Sequence, residues 1–297
     1  MENAEAHPAR RLVSDAEGAT AKMERQRPLS LMGVLAHPDD ESFGNGGTLA
    51  RYAEQGVRTY LVCATRGEAG EISDPALASR DNLGQVREQE LRLACSILGV
   101  AEVRFLDYVD GTLAGVDQRE AEEKVVRAIR ELRPDVVFTF GPEGVYGHPD
   151  HVAVSRIATA AFHSAGDPSA FPEQVESGLG PWSPLKLYYV APPRERFQRM
   201  GELAARLVPH TTWAERDWSS FGVPEKRITT CVDVRRYIDT KLAAIAAHQT
   251  QIQPSHPYSL LPRDILQELL REECYVLAES RVGPPDGRET DLFRGIA

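Results

Sequence analysis

Histidines and carboxylates gather in two short segments of this chain, Ala36-His37-Pro38-Asp39-Asp40-Glu41 and Tyr146-Gly147-His148-Pro149-Asp150-His151. His37 and Asp40 stand three positions apart, as do His148 and His151, and side chains at i and i+3 share a face where a helix begins. Imidazole with carboxylate suits zinc, and three protein ligands with one open position is the catalytic zinc pattern. Zinc so held lowers the pKa of bound water from ~15.7 to ~7 and polarises a carbonyl. A spare carboxylate beside it can take the water's proton, help worth ~10²–10⁴-fold. Fe²⁺ fits the same ligands, because affinity order alone does not choose the metal. The bland reading is two surface turns, which Pro, Asp and Gly favour. Two H-P-D segments, each behind a strand, argue instead for a cleft whose acids and imidazoles need a cation.

The flanking pattern explains how segments 111 positions apart, counted from His37 to His148, can meet. Leu31–Ala36 is a continuous apolar run, which predicts a strand buried on both faces. A loop at 37–45, a short helix over 48–55 stopped by Gly56, and a strand over 57–64 are expected next. Further helices are predicted over 80–98, 119–132 and 152–163, with strands over 103–106 and 135–140 between them. Later strands are expected within 185–190, 225–234 and 275–278, and helices within 235–247 and 260–270. Strands alternating with helices mean βαβ units, a Rossmann-like and mostly parallel sheet, and helices on both faces. Ligands bind at the carboxyl ends of such strands, where both H-P-D segments fall. Residues 1–29 read as a disordered leader and 30–297 as one α/β domain with an irregular insert around 166–218.

Composition narrows the function further. The 297 residues carry a formal net charge of -10, which argues against a nucleic-acid binder. No apolar run approaches the ~20 residues of a membrane span. Arg10-Arg11 is followed at once by Ser14, Asp15 and Glu17, so no export signal forms, and a cytoplasmic protein is expected. Cys63, Cys95, Cys231 and Cys274 form no C-x-x-C pair and read as buried free thiols of a reducing compartment. Gly44-Asn45-Gly46-Gly47 breaks the dinucleotide fingerprint at Leu49, and neither G-K-[ST] nor G-x-S-x-G occurs. Those glycines are expected to relieve crowding beside the metal loop.

At these residues the chain resembles the zinc-dependent de-N-acetylases of the PIG-L/LmbE-like family, from about Leu31 onward. The resemblance rests on A-H-P-D-D-E at 36–41 and Y-G-H-P-D-H at 146–151, supported by T-R-G-E at 65–68, R-x-x-E-L at 87–91 and H-Q-T-Q at 248–251. It implies His37, Asp40 and His151 as zinc ligands and Asp39 as general base. It implies His148 as the residue that stabilises the tetrahedral intermediate and helps the amine leave, oriented by Asp150, and Tyr146 as the group that polarises the amide carbonyl. Arg87 and Asp110 match positions that hold sugar hydroxyls, and Glu41 is expected to support the metal loop from behind. The bland alternatives are a solvated helix position for Arg87, a turn before Gly111 for Asp110, loop shaping for Arg66 and Glu68, and a core or capping role for His248. The expected activity is removal of the N-acetyl group from a GlcNAc-like sugar conjugate by metal-activated water. The rival readings are a zinc amidase acting on a cysteine–sugar conjugate and a sugar-binding relative without turnover. A small-molecule sugar is the expected partner in each case.

Overall fold

The computed structural model describes residues 27–253, 256–285 and 287–296, with the side chains of 212 and 213 left aside. The expected leader lies outside the described residues as far as residue 26. Among the described residues seven strands form one sheet: β1 (Ser30–Leu35), β2 (Arg58–Thr65), β3 (Glu102–Tyr108), β4 (Val136–Phe140), β5 (Lys186–Val190), β6 (Thr230–Asp233) and β7 (Glu272–Ser280). Their order is β3-β2-β1-β4-β5-β7-β6. Every pairing from β3 to β5 is parallel, and β7 runs antiparallel to both β5 and β6. The chain steps outward from β1 to β3 and then returns to β4 on the other side of β1. That reversal opens a crevice beyond the carboxyl ends of β1 and β4, the place where open α/β sheets bind ligands.

The main helices are α1 (Asp40–Glu54), α2 (Leu83–Leu98), α3 (Gln118–Leu132), α4 (Pro149–Ser164), α5 (Arg194–Leu207), α6 (Ile238–Ala247) and α7 (Arg263–Leu269). Helices α1, α2 and α6 pack together, and α3 packs on α4, the arrangement of a sheet covered on both sides. Local chemistry sets the ends. The Asp117 side chain accepts the Arg119 and Glu120 amides and caps α3, and Gly99 closes α2 with φ 74°. Leu31, Met32 and Val34 of β1 are fully buried, as the apolar run requires.

Four expectations change. The helix placed at 48–55 begins at Asp40, inside the expected loop, because Gly44, Gly46 and Gly47 hide it from propensity. The glycines do not face the metal loop: a Cβ on Gly47 would lie 2.6 Å from Val234 Cβ, one on Gly46 3.3 Å from Lys241 Cγ, and one on Gly44 only in ordinary contact with Val190, so Gly47 is the one that lets α1 press against the chain after β6. The stretch 166–218 is less irregular than expected, since besides the expected strand β5 it holds the fourteen-residue α5 and a short helix at Pro172–Glu176. Finally, Cys231 and Cys274 are not free thiols. They face each other across the β6–β7 ladder and form a disulfide, while Cys63 and Cys95 are buried free thiols. A separation of 43 residues conceals that pairing in the sequence. The disulfide also removes the support that cysteine usage lent to a reducing compartment. No helix among the described residues is long and apolar enough to cross a membrane.

Candidate active site

The segment after β1 turns sharply. Asp39 adopts φ 115°, a left-handed conformation rare for a residue with a side chain. Its N–H donates to Glu41 Oε2 at 3.0 Å, and its carbonyl accepts the Ser42 and Phe43 amides, which starts α1. Asp40, at the first position of α1, accepts the His37 N–H at 2.8 Å and so folds back beside the imidazole of His37. The second segment opens α4. His148 Nδ1 accepts the Asp150 N–H at 3.2 Å, capping the helix with Pro149 at its first position. A neutral His148 ring held in this way carries its proton on Nε2 and is a donor there.

The crevice brings these segments together. One nitrogen each of His37, His148 and His151 falls within a mutual 4.8 Å. Asp40 Oδ1 lies 3.4 Å from His151 Nε2, and Asp40 Oδ2 lies 3.7 Å from His37 Nδ1. His151 stacks on Phe140 at the end of β4, with centroids 3.9 Å apart. Its Nδ1 meets the Gly144 carbonyl at 3.3 Å. Its Nε2 is buried and has no hydrogen-bond partner among the described residues. A buried nitrogen left unpaired, with a carboxylate oxygen and two further imidazoles nearby, fits a divalent metal.

The remaining carboxylates surround His37. Its Nε2 meets Asp110 Oδ1 at 3.0 Å and Asp150 Oδ2 at 3.2 Å. Burial alone would lower the pKa of this imidazole, but its bonds to Asp110 and Asp150 and the Asp40 charge raise it to about 10. Asp150 is in turn held by the Gly111 and Leu113 amides, at 2.7 and 3.1 Å. The Asp150 carboxylate is thus directed at His37, and only its backbone N–H meets His148. Carboxylates on the far nitrogen of an imidazole fix its tautomer and leave the near nitrogen free as a ligand.

Asp39 is placed by Arg87. That guanidinium is 3% exposed and donates to the Gly67 carbonyl at 2.7 Å, to Asp39 Oδ2 at 3.1 Å and to the Pro38 carbonyl. Burial pushes Asp39 up to about 6, with Arg87 opposing the rise and Asp40 adding to it, a value suited to taking a proton near neutrality. Both candidate sugar contacts therefore face protein groups: Arg87 holds the loop of Asp39, and Asp110 holds His37 and the Ala69 amide. Glu41 and His248, both wholly buried, pair at 2.7 Å behind the loop, and Ser42 Oγ donates to the same Glu41 oxygen. Burial opposes charge on both, yet the His248 imidazole holds the Glu41 carboxyl below its usual range and is itself held above its own.

Tyr146 stands at the crevice mouth, 47% exposed, edge-on to His151 and stacked on Phe221. Asp39, Asp40, Tyr146 and His151 line a cavity of about 350 Å³. Its far wall comes from α5, the 216–221 segment and the 256–270 segment. Sequence reasoning missed these residues, which form no motif and converge only through the fold.

The PIG-L family (GlcNAc-PI de-N-acetylase) matches residues 32–162. The chain is 38% identical over 299 residues to the 1D-myo-inositol 2-acetamido-2-deoxy-alpha-D-glucopyranoside deacetylase of Thermobispora bispora, covering 89% of this chain and 97% of that one. It is 40% identical over 296 residues to the protein of the same name from Streptomyces avermitilis, covering 90% and 97%. Its fold matches N,N'-diacetylchitobiose deacetylase from Pyrococcus horikoshii with a TM-score of 0.61, 20% identity and 93% and 94% coverage, a likeness of fold alone. The chain belongs to the PIG-L family, and with it to the hydrolytic deacetylases.

Proposed function

We propose that the protein is a zinc-dependent de-N-acetylase of a GlcNAc-like sugar conjugate, on the substrate class of the inositol-linked amino sugar named for its relatives. The observation that carries this is the buried, unpartnered Nε2 of His151, beside Asp40 and His37 and on the same cavity as Asp39. His37, Asp40 and His151 would hold the ion, which when bound supplies a Lewis acid for the amide carbonyl and lowers the pKa of water.

Asp39 is the base. Its carboxylate faces the cavity with Arg87 behind it, so it can take a proton from an attacking water. His148, protonated at Nε2, donates to the developing oxyanion or to the departing amine nitrogen. Tyr146 offers a phenol to the carbonyl oxygen, adding stabilisation of developing charge, commonly the largest catalytic contribution. Asp150 and Asp110 keep the His37 ring oriented. The acetamide is hydrolysed to acetate and a free amine.

The test is release of acetate and amine from an N-acetylglucosaminyl-inositol conjugate by purified protein. Chelation should abolish it, Zn²⁺ should restore it, and Asp39→Asn should lower kcat by at least ~10²-fold. Absence of amine release from any N-acetylated sugar, with zinc bound, would refute the assignment.

A further inference from the structure

The cavity beyond the metal cluster is larger and more apolar than an acetyl group requires. From Tyr146 its wall continues through Phe221, stacked on Tyr146 with centroids 5.3 Å apart. Phe221 in turn meets Phe197 at 5.4 Å and Trp218 at 5.2 Å. Phe43, stacked on Tyr258 at 5.6 Å, and Met200 also line the cavity. This wall is built rather than incidental. A Cβ on Gly201 would stand 2.4 Å from Trp218 Cδ1, so α5 has a glycine where the indole lies against it.

Within this apolar lining sits Arg196 of α5. Its guanidinium has no hydrogen-bond or ion-pair partner among the described residues. Glu273, an acid on the same cavity, is already committed: Lys241 Nζ lies 2.5 Å from it, and the Gly47 and Thr48 amides donate to it at 3.0 and 2.7 Å. Glu272 and Tyr258 are the other groups whose charge favours the Arg196 cation, while Arg271 opposes it and burial works against its charge. A half-buried cation without an ion-pair partner among the described residues, next to aromatic faces, is a receptor for an anionic group on a flat or apolar carrier.

We propose that this cavity is a substrate subsite for an apolar, ring-bearing substituent ending in a carboxylate or phosphate, with Arg196 as its cation and the Phe197–Trp218–Phe221 wall as its platform. The proposal rests on the deacetylase reading, because the subsite adjoins Asp39, Asp40 and His151. It names the part of the substrate that the family motif leaves open. The substituent can sit on the sugar's glycosidic oxygen or on the acyl group; both place the same chemistry in the cavity.

The zinc-loaded protein is assayed on methyl, phenyl and 4-carboxyphenyl N-acetylglucosaminides, and on glucosamine N-acylated with benzoyl or 4-carboxybenzoyl. On the arm that matches the cavity, wild type should prefer the carboxylate-bearing substrate over its neutral partner by ~10-fold or more in kcat/KM. Arg196→Gln should collapse that ratio towards one. Phe197→Ala should lower the phenyl-over-methyl ratio by a similar ~10-fold. Ratios within each enzyme cancel any general loss of activity. Calorimetry of the product 4-carboxyphenyl glucosaminide should show weaker binding to Arg196→Gln than to wild type. A carboxylate preference of about one in wild type on both arms, or one unchanged in Arg196→Gln, overturns the subsite. If wild type hydrolyses none of the five substrates yet releases amine from the N-acetylglucosaminyl-inositol conjugate, the subsite falls and the deacetylase reading stands; if it releases amine from none of the six, the deacetylase reading falls, and the calorimetry alone then decides the subsite.

Discussion

Arg87→Lys separates two jobs for one residue. The family resemblance makes Arg87 a sugar contact, whereas in the structure its three acceptors are the Gly67 carbonyl, the Pro38 carbonyl and Asp39 Oδ2. Lysine keeps the charge but loses the planar fork, so it can serve at most part of this set. Hydrogen bonds to a charged group contribute about 1.5–3 kcal/mol each. Loss of one or two, in a site 3% exposed, should therefore cost on the order of 2–4 kcal/mol. Such a loss leaves most domains folded, given total stabilities of ~5–15 kcal/mol. The surrounding loop is moulded on the guanidinium: a Cβ on Gly67 or Gly70 would lie 2.2 or 2.4 Å from Nη1. A shortened cation lets Pro38 and Asp39 shift, and misplacement of a base by ~1 Å can cost ~10²-fold in rate. We expect kcat to fall ~10–10²-fold with KM within about 3-fold of wild type. Steady-state kinetics on the N-acetylated substrate read this, with urea melts to establish that the variant is folded. A raised KM at unchanged kcat would refute the positioning role and restore the sugar contact.

His248→Ala should destabilise by ~3–5 kcal/mol because it strands the Glu41 charge. The double variant Glu41→Gln/His248→Ala should lose less than the two single changes together, as a double-mutant cycle in urea will show. Asp39→Gly and Asp39→Ala remove the same carboxylate, but only glycine relaxes φ 115°. Glycine should then be the more stable of the two by ~1–2 kcal/mol, against the usual order, and the reverse ranking would deny strain at the base. Burial, reinforced by Arg216, lowers His256 from 6.5 to about 4. The unfolded chain thus binds a proton there that the folded chain refuses, and stability present above pH ~6.5 is lost as pH falls towards ~4, by ~3 kcal/mol at most. His256→Asn keeps an acceptor for the Tyr258 amide and should flatten the pH dependence of chemical denaturation across that window. Non-reducing peptide mapping should recover Cys231 linked to Cys274, and a thiol reagent should label Cys63 and Cys95 only after unfolding.

The parallel part of the sheet was legible because β1 and β4 are continuous apolar runs and α2 and α3 show clean helical periodicity and stops. The two H-P-D segments announced a shared site because each lies beyond the carboxyl end of a strand, β1 or β4, at the reversal. Other features were hidden for identifiable reasons. Gly47 and Gly46 of α1 answer to Val234 and Lys241, nearly two hundred residues later, so propensity misplaced the start of that helix. Asp150 was expected to serve His148 because they are neighbours in sequence. Helical geometry instead gives His148 the Asp150 amide and sends the carboxylate across to His37. Arg87 reads as a helix residue facing outward until α2 is placed under the Asp39 loop. The Cys231–Cys274 bridge needed the antiparallel β6–β7 register, which no local pattern specifies.

The layout separates chemistry from recognition along the chain. Every candidate ligand, the base, Tyr146, His148 and the Arg87 clamp fall between residues 37 and 151, inside the 32–162 region matched by the family. The cations and most of the aromatic wall of the adjoining cavity, namely Arg196, Arg216, Phe197, Trp218, Phe221 and Tyr258, come from beyond it. A physical reason follows from the sheet. The crevice loops must keep charged groups within a few ångströms, so any change there breaks buried pairs costing several kcal/mol. Of the late segments, α5 and 216–221 meet the crevice largely through aromatic faces, with one backbone bond from the Gly222 N–H to the Val145 carbonyl, and apolar contacts accept changes of size and shape at lower cost. Substrate range can therefore drift through α5 and the 216–221 segment while the hydrolytic centre stays intact. Other late residues are tied in by charge: Glu273 accepts the Gly47 and Thr48 amides of α1, and His248 holds Glu41 and so ties the C-terminal portion to the turn that carries the base.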